Sequence, residues 1–145
     1  MKDPEINPYN NRPGDVVVFQ QFIDHLVNGI MPLAYSRKNS IVNEVQPESF
    51  IKADQDKLAF IVSNLLTDAV NSTTNSMIHI SAFTGERIVL LQIKLKSNDY
   101  RHSYSSMLSK IQEPAKKMGG NISIETSELE GTLITFTFCN MKIAA

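Results

Sequence analysis

Residues Asp54–Thr73, DQDKLAFIVSNLLTDAVNST, decide the fold. Read at 3.6 residues per turn, this stretch carries one apolar stripe and one purely polar stripe. Asp54 is a good N-cap residue, and Asp56 lies where the helix dipole favours an anion. We therefore predict a helix that packs one face on a core and presents the other to a polar environment. The apolar stripe comprises Leu58, Ile61, Val62, Leu65 and Ala69, and the polar stripe comprises Asn64, Thr67, Asp68 and Asn71.

The polar stripe has two interpretations. A solvated outer face is the common one, but such faces usually carry lysine and glutamate. Short amide, hydroxyl and carboxylate side chains are better suited to directed hydrogen bonds with a ligand or a partner. The helix is therefore a candidate site as well as a core element.

Upstream of this helix, the sequence predicts an arm, a second helix and two strands. Residues 1–14 hold three prolines, three asparagines and a glycine, which is typical of an extended or disordered arm. Residues Asp15–Tyr35 have apolar residues at helical spacing, with Asp15 as the N-cap, and Pro32 should end or kink this helix. Ile41–Val45 and Phe50–Ala53 are predicted as short strands on either side of a turn.

Downstream of the helix, the apolar period changes from helical to alternating and back again. Alternation on both sides of Thr84-Gly85-Glu86 predicts one hairpin, and alternation near the C-terminus predicts another. Between the hairpins, a polar connection, Ser97–Ser103, leads to a helix that the pair Gly119-Gly120 should close. The predicted elements are strands at Ile78–Ala82 and Val89–Leu95, a helix at Ser105–Met118, and strands at Asn121–Thr126 and Thr132–Phe138.

This element order predicts an α+β fold. Helices that are segregated from hairpins favour a two-layer α/β sandwich, with three helices on one face of a mostly antiparallel sheet.

Composition and charge narrow the classes of function. The 145 residues include 14 basic and 15 acidic residues, for a net charge of −1, with no run of either sign. This balance argues against nucleic acid or a membrane surface as the main partner. The single cysteine, Cys139, has no partner for an internal disulfide and is interpreted as a packed strand residue. We expect a cytoplasmic protein without membrane insertion, because no stretch of 18 apolar residues is present.

The element order, together with NLLTDA on the central helix, resembles the ATP-binding domain of sensor histidine kinases, the GHKL family with its Bergerat fold. The closing segment MGGNISIETSELEGTLITFTF, with Gly131-Thr132 in its hairpin, resembles the end of that domain. The resemblance covers residues 15–140, which implies one histidine kinase-like ATPase domain with an arm or linker at 1–14 and a tail at 141–145.

The resemblance implies a nucleotide pocket on the polar face of the central helix. In the family, an asparagine before the alanine of this motif holds Mg²⁺, and a second asparagine four residues earlier lines the same pocket. These positions are Asp68 and Asn64 here, so Asn64 matches and Asp68 is a substitution. A carboxylate remains a suitable oxygen ligand for Mg²⁺, although it adds negative charge beside phosphates. The basic residue that often follows in the family falls on Asn71.

The departures from the family lie after the first hairpin. The aspartate and glycine that recognise adenine in the family fall on Ser97 and Asp99, on either side of Asn98. A neutral hydroxyl in place of a charge-assisted bond loses about 1.5 to 3 kcal/mol. The second glycine box and the ATP lid have no counterpart, since only SNDYRHSY separates Lys96 from the helix, and it contains no glycine. Backbone N–H groups that cradle phosphates need glycine for close approach. We therefore read Asn64, Asp68, Asn71, Ser97 and Asn98 as a vestigial nucleotide site.

Two histidines need separate consideration. His25 lies on the predicted first helix beside Asp24 and is a candidate phosphoacceptor, although the two-helix dimerisation hairpin that carries the phosphoacceptor of histidine kinases has no counterpart here. His79 alternates with Ile78 and Ile80 and should lie on the outer face of the sheet.

Three functions remain open at this stage. The chain is interpreted first as a pseudokinase-type signalling module of the two-component type, without a cofactor, that binds a response regulator, a sensor kinase or another copy of itself. The alternative is an Mg-ATP-binding protein kinase of the histidine kinase and anti-sigma-factor superfamily, in which Asp68 holds Mg²⁺. A third hypothesis is a histidine phosphotransferase that uses His25.

Overall fold

The computed structural model describes residues 16–96 and 104–141. Within them, three helices and seven strands alternate in the predicted order, with one additional strand at the beginning. The strands are β1 (Val16–Val18), β2 (Ser40–Asn43), β3 (Phe50–Lys52), β4 (Met77–Thr84), β5 (Ile88–Leu95), β6 (Asn121–Ser127) and β7 (Gly131–Cys139). The helices are α1 (Phe19–Ser36), α2 (Gln55–Asn71) and α3 (Tyr104–Lys117).

The main sheet has five strands in the order β2-β4-β5-β7-β6. Its β2–β4 pair is parallel and its other three pairs are antiparallel. Three helices pack on this sheet, and buried apolar side chains of both layers form one core. The structure therefore confirms the predicted α+β sandwich. No described helix is long and apolar enough to cross a bilayer.

The central helix α2 forms as its sequence predicts. Asp54 is the N-cap, and its carboxylate accepts a hydrogen bond from the Lys57 N–H at 3.2 Å. The apolar stripe is fully buried, and it is wider than predicted because Leu66 and Val70 are buried as well. A face of this width packs against neighbours on both sides, and α2 contacts both α1 and α3.

The prediction that α1 begins at an Asp15 cap is wrong. The helix begins at Phe19, and Val18 occupies the N-cap position without a side-chain hydrogen bond. The three valines that precede it form β1, which pairs with β3 in a separate two-stranded sheet. Consecutive β-branched residues favour extended backbone, and their pairing partner lies more than 30 residues away, so the local pattern did not reveal it. The helix then continues for four residues beyond Pro32, to Ser36.

The remaining elements differ from their predicted bounds by only a few residues. The β2 strand ends at Asn43 because its side chain turns the chain, accepting the Val45 N–H at 3.0 Å. The first hairpin closes through a hydrogen bond of 2.8 Å from the Gly85 N–H to the Ile88 carbonyl. Cys139 lies at the exposed end of β7, so the expectation of a packed cysteine is wrong. The predicted arm and the whole connection Ser97–Ser103 lie outside the described residues.

The end of α3 shows why the predicted Gly119-Gly120 pair is required. The N–H groups of Gly119 and Gly120 bond to the Lys116 and Ala115 carbonyls at 2.9 Å, and Gly119 has a φ of +72°. This is the Schellman arrangement, which favours glycine at the left-handed position. A Cβ atom at Gly120 would lie 1.8 Å from the Thr137 carbonyl oxygen. Both glycines therefore allow α3 to stop against β7.

A buried asparagine joins the ends of four elements. Asn39 is 3% exposed, and its side-chain amide donates to the carbonyls of Val70 and Thr73 at 3.1 and 3.0 Å. Its side-chain oxygen accepts the Ser76 N–H at 3.0 Å. These bonds cap the C-terminal end of α2 and fix the chain that enters β4. Asn39 itself stands between α1 and β2, so one side chain sets the relative position of two helices and two strands.

We predict that Asn39→Ala destabilises the protein by about 2 to 4 kcal/mol, because two carbonyls and one N–H lose their partner inside the protein. Asn71→Ala is the matched control, because Asn71 is the exposed last residue of α2. It should change the free energy of unfolding by less than about 0.5 kcal/mol. Urea-induced unfolding of both variants measures the difference. Equal effects at the two positions would contradict the role assigned to Asn39.

Candidate functional site

The four side chains of the polar stripe of α2 differ in their exposure. Asn64 and Asp68 are half-buried, one helical turn apart, whereas Thr67 and Asn71 are exposed. Residues at i and i+4 lie about 6 Å apart on the same face, so the amide and the carboxylate form a pair. Of the five predicted nucleotide-site residues, Asn64, Asp68 and Asn71 are described, and Asn64 and Asp68 are the two half-buried ones.

The Asn64 side chain makes one hydrogen bond within α2. Its side-chain amide donates to the Phe60 carbonyl at 2.7 Å. An asparagine amide has two N–H donors and one oxygen acceptor, so one N–H and the oxygen remain to face a ligand or a partner. Together with the Asp68 carboxylate, that oxygen provides two of the six ligands that Mg²⁺ requires. Asn64 and Asp68 could therefore contribute two oxygen ligands to a Mg²⁺–phosphate group, and the other four would come from phosphate oxygens or water.

The opposite wall of the predicted pocket lies outside the described residues, since Ser97 and Asn98 follow the last described residue of that segment. The structure nevertheless fixes the length of the connection. The β5 strand ends at Leu95 and α3 begins at Tyr104, so eight residues, 96–103, join them.

Gly131 is the first residue of β7 and lies against Leu95 and Lys96, where this connection begins. It has a φ of +86°, and a Cβ atom there would lie 2.2 Å from the Leu95 carbonyl oxygen. The next residue, Thr132, is buried and pairs with Leu95 in the ladder between β5 and β7. The Gly131-Thr132 motif therefore has a structural role, which is to let β7 start directly against the end of β5.

Thr67 faces a different groove from Asn64 and Asp68. It lines a cavity of about 300 Å³ between α1 and α2 that also includes His25, Ser63 and an apolar floor of Leu26 and Leu66. His25, the candidate phosphoacceptor, is exposed at this groove. The groove includes neither Asn64 nor Asp68, so the candidate phosphoacceptor and the candidate nucleotide residues occupy separate places.

The N-terminal end of α2 carries an ion pair. The Lys57 ammonium lies 2.8 Å from the Asp54 carboxylate, which also caps the helix through the Lys57 N–H. The side-chain hydrogen bond from Lys57 is the main reason why the pKa of Asp54 is lowered from its ordinary value, against a smaller opposing effect of burial. A cavity of about 380 Å³ beside this pair is lined by Lys117 and Cys139 as well.

The chain resembles known proteins in structure but not in sequence. No protein-family model and no curated protein sequence matches the chain. Solved structures match it closely in shape. The histidine kinase AdeS of Acinetobacter baumannii superimposes with a TM-score of 0.77 at 10% identity, over 92% of this chain and 71% of that one. The chain has the histidine kinase ATPase fold.

Two further structures with this fold extend the comparison. The mycobacterial sensor histidine kinase MprB matches with a TM-score of 0.71 at 15% identity, over 90% of this chain and 99% of that one. The histidine kinase ThkA, solved in complex with the response regulator TrrA, matches with a TM-score of 0.73 at 15% identity, over 88% of this chain and 42% of that one. The fold resemblance inferred from NLLTDA and the closing segment is thereby confirmed.

We predict that Asp54→Ala lowers the free energy of unfolding at pH 7 by about 1 kcal/mol, because α2 loses its N-cap. Since the folded-state pKa of Asp54 is depressed, its contribution is present above the unfolded-state pKa of about 3.9 and is lost as the pH falls through the lower folded-state value. The difference between the wild type and the variant should therefore shrink below pH 4. Urea-induced unfolding at pH 7, 5 and 3 measures it.

Asp56→Ala is the control for this experiment, because Asp56 is exposed in the first turn of the same helix but does not provide the cap. Its smaller effect should come from the helix dipole alone, about 0.3 to 1 kcal/mol. A loss for Asp54→Ala that stays constant down to pH 3 would contradict the assigned ionic contribution.

Proposed function

We propose that this domain is a non-catalytic interaction module in signalling of the two-component type. Its fold is that of a histidine kinase ATPase domain, and its partner is a protein: a response regulator, a sensor kinase or a second copy of the chain. The observation that carries the proposal is the length of the connection between β5 and α3.

The connection supports the proposal through simple geometry. Eight residues without a glycine join two elements that both pack on the core. In the family that the sequence resembles, the corresponding segment holds the glycine boxes and the ATP lid. Phosphate cradles are built from successive backbone N–H groups, and glycine lets those groups approach an anion. A connection of this length and composition has little capacity to surround a triphosphate.

The charges on α2 support it as well. Asp68 places a carboxylate where the resemblance implies an asparagine, and Asn71 stands where a basic residue is common. Each change removes positive charge or adds negative charge near the expected phosphates. Two unit charges 4 Å apart interact by about 4 kcal/mol near a protein surface. The Asp68 carboxylate therefore adds repulsion toward a triphosphate, which a metal ion between them would reduce.

An exposed apolar pair supports a protein partner. Phe83 and Ile88 are 63% and 48% exposed on the outer side of the first hairpin, where Phe83 pairs with Leu90 in the ladder. Aromatic residues exposed beside aliphatic ones are enriched at protein interfaces. The solved complex of ThkA with TrrA is one precedent in which a kinase with this fold binds a response regulator.

One observation favours the alternative, an Mg-ATP-binding protein kinase. Asn64 and Asp68 remain one turn apart on the same half-buried face, and together they offer oxygen ligands of the kind that Mg²⁺ prefers. Nucleotide binding therefore separates the two functions.

We expect 5 mM Mg-ATP to leave the melting temperature of the domain unchanged. A ligand at 100 times its Kd stabilises the native state by about 2.7 kcal/mol, which raises the melting temperature of a domain of this size by several degrees. Differential scanning fluorimetry with Mg-ATP, with magnesium chloride as the control, makes the measurement. A rise that Asn64→Ala abolishes and Leu129→Ser, in the exposed turn between β6 and β7, preserves would overturn the proposal in favour of the kinase.

We further expect Phe83→Ser to weaken partner binding at least tenfold, because truncation of a central aromatic residue costs more than about 1.4 kcal/mol at many interfaces. Leu129→Ser is the matched control, since Leu129 is 97% exposed in the turn between β6 and β7. Biolayer interferometry against receiver domains and kinase domains from the same genome, and sedimentation for self-association, provide the measurement. Loss of binding that is equal in both variants would contradict this placement of the interface.

A further inference from the structure

The outer face of the sheet carries a histidine–glutamate pair that the sequence pattern did not reveal. His79 of β4 lies on the face predicted for it, and its Nδ1 atom lies 2.8 Å from the Glu44 carboxylate. Glu44 follows β2 directly, and its N–H donates to the Ile80 carbonyl at 2.7 Å, which extends the parallel ladder by one residue. The backbone therefore places Glu44 beside His79 at the surface of the sheet.

The neighbouring strand places hydrogen-bond donors next to this pair. In the register of β4 and β5, Lys94 lies opposite His79, and Gln92 lies opposite Ser81. Directly opposed residues on one face of an antiparallel pair have Cβ atoms about 5 Å apart. The four side chains therefore form a compact square on the outer face.

These side chains surround a concave space. A cavity of about 260 Å³ is lined by the square, by Glu44, by the exposed Lys96 and by Leu133. Pockets for drug-sized ligands occupy about 300 to 1,000 Å³, so this one suits a smaller group. It lies on the opposite side of the sheet from α2 and is separate from the candidate nucleotide residues.

The chemistry of the lining favours an anion. Two lysines, an amide and a hydroxyl can donate hydrogen bonds into the cavity, and the His79 ring can donate from Nε2 when it is an imidazolium whose Nδ1–H is bonded to Glu44. The single carboxylate in the lining, Glu44, already has the His79 ring as its partner. The imidazole Nε2 atom has no hydrogen-bond partner among the described residues, so the ring has one nitrogen to offer.

Carboxylates limit where the anion can sit. A second cavity of about 320 Å³ shares Gln92, Lys94 and Leu133 with the first and is also lined by Glu125 and Glu130. Two carboxylates face that side, whereas the end with His79 and Lys96 has one carboxylate, Glu44, which is bonded to the ring. The distribution of charge therefore favours an anion at the end with Lys96.

We propose that this surface is a binding site for a small oxyanion of the phosphate class. Lys94 and Lys96 supply the charge, Ser81 and Gln92 supply directed hydrogen bonds, and His79 adds one from Nε2–H in its imidazolium form. Glu44 is a positioning residue, because it orients the imidazole without contacting the anion. The site lies beside Phe83 on the outer face of β4 and β5 and is separate from Asn64 and Asp68 of α2.

The test is a titration of the ¹⁵N-labelled domain followed by ¹H–¹⁵N correlation spectra at constant ionic strength. The probes are inorganic phosphate, a phosphoserine peptide and sodium chloride. We expect saturable shifts of the Ser81, Gln92 and Lys94 amides with phosphate and none with chloride. Tighter binding of the peptide would identify a phosphorylated side chain as the source of the anion, and equal binding would identify the free ion.

The Lys94→Gln/Lys96→Gln double variant should weaken binding about tenfold, since each exposed charge contributes up to about 1 kcal/mol. Lys110→Gln, on the exposed surface of α3, removes one positive charge from the other layer and should leave the affinity unchanged. The spectra also report whether each variant remains folded. Shifts that do not saturate, or that are the same in the double variant and the wild type, would overturn the proposal.

Discussion

The position of α2 depends on hydrogen bonds at its C-terminal end. The parallel pairing of β2 with β4 requires a crossover, and that crossover contains β3 and α2. A helix in a crossover can slide along the sheet unless something fixes its end. Asn39 does this by bonding to the Val70 and Thr73 carbonyls and to the Ser76 N–H, and the Arg37 guanidinium adds a bond of 2.9 Å to the Thr73 carbonyl. These hydrogen bonds therefore help to position α2, and with it Asn64 and Asp68, relative to the sheet.

A second buried asparagine has the same effect on the other side of the domain. Asn140 is 6% exposed, accepts the Lys52 N–H at 3.0 Å and donates to the Gly85 carbonyl at 2.8 Å. It thereby links the two-stranded sheet to the turn of the first hairpin and to the end of β7. Its own side-chain hydrogen bonds are satisfied at both ends, so burial of the amide is compensated. Two polar side chains therefore set how the elements meet, while apolar burial supplies most of the stability.

This division explains which features could be predicted from the sequence. Periodicity identified α2, its Asp54 cap and both long hairpins, because those signals are local. It assigned Val16–Val18 to a helix, because their pairing with β3 is a distant interaction. Asn39 and Asn140 gave no signal, since a buried amide in a loop looks the same in a sequence as an exposed one. The Glu44–His79 pair was missed for a related reason, because it depends on the register of a parallel pair, which alternation alone does not specify.

Apolar burial sets the fold whereas a few polar groups set the chemistry, so a shared fold says little about activity. Structures at 10–15% identity superimpose on this chain with TM-scores above 0.7, so this shape is compatible with very different sequences. The apolar pattern and the element order set it, and many sequences satisfy them. Binding of a triphosphate depends instead on a few polar groups and on one connection. In this chain the connection between β5 and α3 has eight residues, and Gly131 presses β7 against the end of β5 where that connection starts. The packing of β5, β7 and α3 therefore leaves little chain with which to enclose a nucleotide, and this is the physical basis of the proposed non-catalytic function.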